Sequence, residues 1–491
     1  MQKCSFILFL LLFLSFVTLQ ARNIDSIEAR SVATRFAYIH NIKGTPVLAK
    51  VINNEQMHIP AVYVFSFEDH ISLQKQGFVV VAGDDCVRPI LAYSRNNPIT
   101  KPDENEYSPA MNGYLAMRAD EISFGQNNHI PPSAEAAKQW RELLSAENTK
   151  GGTKDEASYL LTTTWDQSYP YNKYCPEIDG NTAPVGCVAT ALSQILRYWQ
   201  HPAQGQGSTS YMCGACGVRL SANFDTTYYK FDSIPDKLYF FSPAEMIDAT
   251  ATLCYHVGIS VWMQYKSTSS GVGMTNVGPY VKRALTQNFR YDTAVNYLYR
   301  ATFSDDDWID TIRKEIEAGR PVLYCGYDNT SSGTDAGHAF VMDGYDPSNG
   351  FFHVNWGWGS GGDGWFDLYN NQLNVYNYRF TSMHVAIVGI QPAPEPEPMG
   401  ISESLGRSTV QPFILLPNPT TGILHIKQSS VMPNSQSGSS NNQIAELFDI
   451  YGRRMASFNI TGPDTTIDIS TLSHGIYFLK IGNTSTKVVK K

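Results

Sequence analysis

The sequence predicts an α+β chain of three folded parts, on three observations. Between residues 151 and 391 helix signals come first and strand signals follow, an order that suits a two-lobed α+β enzyme with a cleft between its lobes. Ahead of that stretch, over residues 22–150, a helical period and two apolar strand runs describe a small α+β unit. Over residues 411–491, short alternating strands broken by Gly, Asn and Pro describe a small β-sandwich. A length of 491 residues suits that number of domains, and 43% hydrophobic against 17% charged residues is a globular rather than a disordered composition. The net charge of −8 leaves no electrostatic footprint for nucleic acid or anionic lipid, so neither is expected as a partner.

Met1-Gln2-Lys3 precedes an apolar run from about Phe6 to Val17 that ends in Thr18-Leu19-Gln20-Ala21. This is short for a membrane span and has the plan of a secretory signal, so residues 1–21 are expected to be removed. Cys4 lies ahead of the apolar core, badly placed for a lipoprotein cleavage site. No other run has the length of a span, so the mature protein is expected to leave the cytoplasm without a transmembrane segment. In the next part Ile27, Ala29, Val32, Ala33, Phe36 and Ala37 sketch a helix, while residues 62–67 and 78–82 read as strands. Asp84-Asp85 after Gly83 fits a turn at a strand end better than a catalytic carboxylate pair. Residues 148–155 are polar, glycine-bearing and without periodicity, an exposed tether, and cleavage is expected between about Ser145 and Ser158. Further on, Ser242-Pro243-Ala244-Glu245 is a capping box opening a helix that Gly258 should stop. Another helix runs from Ser304 to near Gly319, and Pro321 then introduces the strand 322–324. Alternating prolines at residues 392–398 open a stiff linker that extends to residue 410.

The chemistry centres on Cys187. It opens a stretch in which Ala191, Leu192, Ile195, Leu196 and Trp199 recur at helical spacing, so the thiol is expected in the first helical turn, where unpaired N–H groups and the helix dipole favour thiolate. Taken alone, Cys187 fits a small buried hydrophobe better, as most free cysteines do. A second stretch adds weight to the reactive reading. Residues 337–345 read as a strand containing His338, residues 346–350 supply turn chemistry, and residues 351–356 read as a second strand carrying Asn355. A thiolate needs such an imidazole to hold it ionised and to protonate a leaving amine, and the imidazole needs an orienting neighbour. Without Cys4, seven cysteines remain, an odd number that one reactive thiol plus pairs would produce. Cys213-Gly214-Ala215-Cys216 lacks a second ligand pair and reads as a disulfide or two buried thiols rather than a metal site. The glycine-rich runs 267–273 and 357–364 lack a phosphate-binding pattern and read as loops bordering a peptide groove. His201, His256, His353 and His384 have no ligand-like spacing.

The runs Gly186-Cys187-Val188-Ala189-Thr190-Ala191, Gly337-His338-Ala339-Phe340-Val341 and His353-Val354-Asn355-Trp356-Gly357-Trp358-Gly359 resemble the signatures of the streptopain family of papain-like cysteine peptidases. Gln167, in Trp165-Asp166-Gln167-Ser168-Tyr169, falls where that family carries its oxyanion-hole glutamine, and residues 77–85 and 89–94 resemble the strand region of its inhibitory propeptide. The five motifs span about residues 22–390 in the family's order. The resemblance implies a papain-like catalytic domain over 151–391, preceded by a propeptide over 22–150 that occludes the cleft as the enzyme's own inhibitor. It implies endopeptidase chemistry with Cys187 as nucleophile, His338 as acid and base, and an oxyanion hole of the Cys187 N–H and Gln167. Trp356 would orient and shield His338, with Asn355 and Trp358 in lesser support. Protein substrates are implied, with an apolar side chain two residues before the scissile bond, and no cofactor or metal beyond a reduced Cys187. The closing pattern of residues 467–472, 475–480 and 487–491 resembles the C-terminal sorting domain of type IX secretion, which implies export across the outer membrane by its machinery. A cell-wall amidase or an acyl transferase would use the same dyad. A surface adhesin on an inactive scaffold would have no use for Gln167, Cys187, His338 and Trp356 together.

Overall fold

The computed structural model describes residues 21–68, 75–101, 106–145, 158–328, 336–368, 382–394, 413–428, 443–449, 452–462, 464–482 and 484–491. The expected signal segment, the tether with its cleavage window, and most of the linker lie outside the described residues. The chain divides into two compact units, one ending at Ala393 and the other beginning at Pro394.

The first unit is organised on one ten-stranded sheet. Its first four strands are β1 (Thr45–Asn53), β2 (Pro60–Glu68), β3 (Lys75–Ala82) and β4 (Ile90–Ser94). The other six are β5 (Asn296–Tyr299), β6 (Val322–Asp328), β7 (Ala336–Asp346), β8 (Phe351–Asn355), β9 (Gly364–Phe366) and β10 (Ser382–Val388). The spatial order is β1-β2-β3-β4-β9-β8-β7-β6-β10-β5. β4 joins β9 antiparallel, with Tyr93 opposite Trp365 and Ala92 opposite Phe366, and the Asp367 N–H donates to the Leu91 carbonyl at 3.0 Å. The N-terminal part is therefore no separate globule. Its strands continue the sheet of the part that follows, and one apolar core runs from Val64 and Phe78 through Phe366 to Phe340 and Trp356.

Helices cover both faces: α1 (Ser26–Ile39), α2 (Pro109–Asn127), α3 (Ala134–Leu144), α4 (Cys187–Trp199), α5 (Ala244–Ser260), α6 (Met274–Gln287) and α7 (Asp305–Glu317). α1 begins at Asp25, whose carboxylate accepts the N–H groups of Ile27 and Glu28. α7 begins at Ser304, whose hydroxyl accepts the Asp307 N–H. α5 departs from expectation at both ends. Ser242 Oγ accepts the Tyr239 N–H instead of capping the helix, and the helix runs through Gly258 to Ser260. Gly258 is there for space: a Cβ would stand 2.1 Å from the Tyr265 hydroxyl. α4 and α5 share a second core with Val257, Tyr265, Val341 and Val385. Asp84 does close a turn, its Oδ1 accepting the Cys86 N–H at 2.9 Å, and Cys213 and Cys216 form a disulfide at the tip of the hairpin Ser208–Cys213/Val218–Asn223.

The second unit is a β-sandwich. Phe413–Leu416, Ile423–Gln428 and Asp464–Asp468 form one sheet; Arg454–Ile460, Gln443–Asp449, Gly475–Ile481 and Thr484–Lys490 form the other. Leu424, Ile426, Leu447, Leu479 and Val488 fill the space between them. No helix among the described residues is long and apolar enough to cross a membrane.

Candidate active site

Cys187 is the first residue of α4 and is partly exposed, while nearly every other residue of the first two turns is buried. Gly186 caps the helix at φ +89°, a conformation L side chains rarely adopt, and a Cβ there would meet Met263 Sδ at 2.7 Å and the Ser270 carbonyl at 3.0 Å. That glycine lets the chain turn sharply into the helix with the thiol at its tip. Three N–H groups, those of Ala339, Val188 and Cys187 itself, favour the thiolate, as the helix-terminus argument anticipates. Burial outweighs them and holds the thiol above its ordinary range. Burial and the helix terminus thus act in opposite senses on this thiol.

His338 lies on β7 directly opposite Gly326 of β6, next to the residue whose N–H reaches the sulfur. It is 9% exposed, and burial pushes its imidazole down to about 4, with the Trp356 carbonyl acting in the opposite sense. Its Nε2 is bonded to that carbonyl at 2.9 Å. No hydrogen bond joins His338 to Cys187; the two groups sit on adjacent elements without engaging. Trp356 meets His338 through its backbone, for its indole Nε1 is buried without a partner. The Trp356 and Trp358 rings lie 6.2 and 6.0 Å from the imidazole, inclined by 29° and 20°.

Gln167 is buried, and its carbonyl accepts the Val185 N–H at 2.9 Å, which fixes it beside the approach to Cys187. Its side-chain Nε2 has no acceptor, so a buried amide donor is left unpaired on the segment bonded to Val185. Asn355 does not touch His338. It forms a reciprocal amide pair with Gln194 (3.0 and 3.1 Å), donates to the Thr163 carbonyl (2.6 Å) and accepts the Gly357 N–H (3.1 Å). Strand pairing explains this: β8 aims Asn355 toward α4, and the turn after it carries the Trp356 carbonyl to the imidazole.

The N-terminal part packs on the loop that follows Trp356. The Gly362 N–H donates to the Pro98 carbonyl at 2.8 Å, Asn97 Nδ2 donates to the Asp363 carbonyl at 3.3 Å, and Lys101 Nζ stands 4.8 Å from the Trp358 ring centre. Tyr114 and Met117 of α2 wall an apolar cavity whose other side is Tyr324, Phe340, Trp356 and His384. Asp367, 1% exposed, pairs with Arg88 at 3.2 Å and Arg118 at 3.8 Å. Sequence reasoning missed Arg88, Arg118, Asp363 and Asp367; only the Arg118–Glu121 pair has helical spacing, and nothing local joins Asp367 to Arg88 or Arg118. Cys325, one of the seven cysteines left after Cys4, is a free buried thiol opposite Ala339 whose ionisation is opposed by burial and by Cys187. No group of three or more His, Cys, Asp or Glu among the described residues could hold a metal ion.

Residues 165–366 match the Peptidase C10 family, residues 21–117 the Spi protease inhibitor family, and residues 415–491 the secretion system C-terminal sorting domain. The chain is 32% identical over 338 residues to the Thiol protease/hemagglutinin PrtT of Porphyromonas gingivalis, covering 66% of this chain and 37% of that protein. It thus spans little more than a third of that relative. It is 30% identical over 346 residues to streptopain of Streptococcus pyogenes, covering 64% of this chain and 78% of the relative. Among solved structures it is similar to a fragment of Prevotella intermedia prointerpain A bearing a cysteine-to-alanine mutation, at 28% identity and a TM-score of 0.54, over 71% of this chain and all of that one.

Proposed function

The chain belongs to the peptidase C10 family, and from that membership we propose that it hydrolyses peptide bonds of extracellular proteins with Cys187 as nucleophile and His338 as proton carrier. It is a cysteine peptidase zymogen with an inhibitor-like propeptide and a type IX sorting tail that directs it to the cell surface or the medium. The observation that carries the site assignment is the meeting of three groups from distant parts of the chain. Cys187 stands at the tip of α4, the Ala339 N–H faces its sulfur beside His338, and Gln167, whose side-chain amide is unpartnered, is tied by its backbone carbonyl to Val185, two residues before Cys187.

In the reaction we propose, cleavage between about Ser145 and Ser158 releases the propeptide and His338 comes to Cys187. The imidazole takes the thiol proton, and the thiolate attacks the scissile carbonyl. The resulting oxyanion accepts hydrogen bonds from the Cys187 N–H and from Gln167 Nε2, a role supported by the burial of that amide without another acceptor. Imidazolium His338 then gives its proton to the leaving amine. Water, deprotonated by His338, hydrolyses the thioester and restores the thiol. Trp356 holds and shields the imidazole, and Trp358 covers it; Asn355 acts on the loop rather than on the ring. Nothing beyond a reduced Cys187 is required. Incubating the secreted chain with denatured protein, beside Cys187→Ala, tests this by intact mass and product release. Processing near residue 150 and substrate cleavage by the wild type alone are expected, and undiminished activity in Cys187→Ala would sink the mechanism.

A further inference from the structure

The carbonyl that holds His338 belongs to a residue pinned on both sides. The Trp356–Gly357 peptide presents its C=O to His338 Nε2 at 2.9 Å, and its N–H goes to Asn355 Oδ1 at 3.1 Å. The preceding peptide donates the Trp356 N–H to Asp363 Oδ1 at 2.8 Å. Both backbone torsions of Trp356 are thereby fixed, although its indole N–H makes no bond of its own. Resting on the assignment of His338 as the catalytic imidazole, we infer that Asp363 is a positioning residue of this reaction: by accepting the Trp356 N–H it fixes the carbonyl that orients His338.

Asp363 belongs to neither strand. It follows Gly361-Gly362 where the loop between β8 and β9 folds back under Trp356, so the loop's path brings its carboxylate to that N–H. It is 2% exposed, and burial drives its carboxyl up to about 7, with the Trp356 N–H and His353 pulling down and Asp343 pushing up. A turn alone does not need a buried carboxylate; asparagine, serine or glycine would close it without that desolvation cost. Keeping one points to a task for the acceptor. The propeptide reaches the same loop through Asn97 Nδ2 on the Asp363 carbonyl, the Pro98 carbonyl on Gly362 N–H and Lys101 over the Trp358 ring, and none of these contacts uses the Asp363 carboxylate. The bond from that carboxylate to Trp356 is made within the loop itself.

The test compares Asp363→Ala and Asp363→Asn in the full zymogen, matured by an added protease and normalised by titration of Cys187 with a thiol alkylator. Misorienting a catalytic group by about 1 Å costs about 100-fold in rate. Asp363→Ala is expected to lower kcat by roughly that factor with KM nearly unchanged, and to displace the pH profile of Cys187 alkylation. Asp363→Asn, whose amide oxygen can still accept the Trp356 N–H, is expected to recover most of the loss. If Asp363→Ala does not fold, Asp363→Ser replaces it, because its hydroxyl is too short to reach that N–H. Wild-type kcat and alkylation profile per titrated site in the folded Ala or Ser variant, whatever its thermal midpoint, would overturn the inference, as would an Asn variant no better than Ala. Wild-type activity in His338→Ala would instead remove the premise, so the two failures are told apart.

Discussion

Replacing Asp367 by asparagine should loosen the propeptide without harming the enzyme that remains. Asp367 is buried and paired with Arg88 and Arg118 of the propeptide, with Arg118 also paired to Glu121 at 2.8 Å. Removing one partner of a buried ion pair leaves the other charge uncompensated, a loss of about 3–5 kcal/mol. Glu121 still neutralises Arg118, and an asparagine keeps one acceptor, so the lower end applies. About 3 kcal/mol is about a 100-fold weaker hold. The strand pairing of Tyr93 with Trp365 and of Ala92 with Phe366 stays intact, so the zymogen should still fold. The assay is the rate at which Asp367→Asn zymogen converts to the processed species by intact mass, and the activity recovered on diluting the cleaved complex. Arg88→Gln alone and with Asp367→Asn completes a double-mutant cycle whose coupling isolates the pair. Conversion and inhibition within twofold of wild type would refute the reasoning and leave the apolar core and strand pairing as what holds the propeptide.

Gln167→Ala should lower kcat of the mature enzyme by about 100- to 1,000-fold with little change in KM, the loss expected for one oxyanion donor, as steady-state kinetics would read directly. Iodoacetamide should alkylate Cys187 much more slowly in the zymogen than after maturation, because burial disfavours the thiolate and no imidazole is bonded to it; equal rates at pH 7 would contradict that account. Urea unfolding of the zymogen should weaken as pH falls from about 6.5 toward 4. His256, His338 and His384 are each pushed to about 4 by burial, so in that window the unfolded chain binds protons the folded chain refuses. Asp363, raised to about 7, and Asp84 and Asp85, also raised by burial, work in the opposite direction as they take up protons in the folded state, against the three imidazoles above and His201, which burial also lowers. A midpoint that rises over that range would be inconsistent with the buried neutral histidines.

Much of the site was legible because its parts carry local signals. Glycine before Cys187 and the apolar spacing after it describe α4 to its last turn, and the turn chemistry of residues 346–350 describes the β7–β8 hairpin within a residue or two. Gln167 was found by resemblance to a family motif, since nothing in its own neighbourhood marks a buried amide without an acceptor. α2 was overlooked despite Ser108 and Pro109 at its start, because Ala110, Met111, Tyr114, Leu115 and Arg118 are buried around most of its circumference and leave no clean apolar stripe. Gly258 read as a helix stop because a missing side chain has two uses, and only the nearby Tyr265 hydroxyl tells which applies.

By itself the amino-acid sequence determined the helix that presents Cys187, the hairpin that carries His338, the β-rich tail and the order of the parts, since capping, periodicity and turn preference act among residues a few positions apart. Only the tertiary structure decided that propeptide and enzyme share one sheet, that Asp367 answers Arg88 and Arg118, and that His338 turns to the Trp356 carbonyl while burial disfavours the Cys187 thiolate. Those outcomes depend on desolvation and on partners far along the chain, energies that come into being once both sides are buried together.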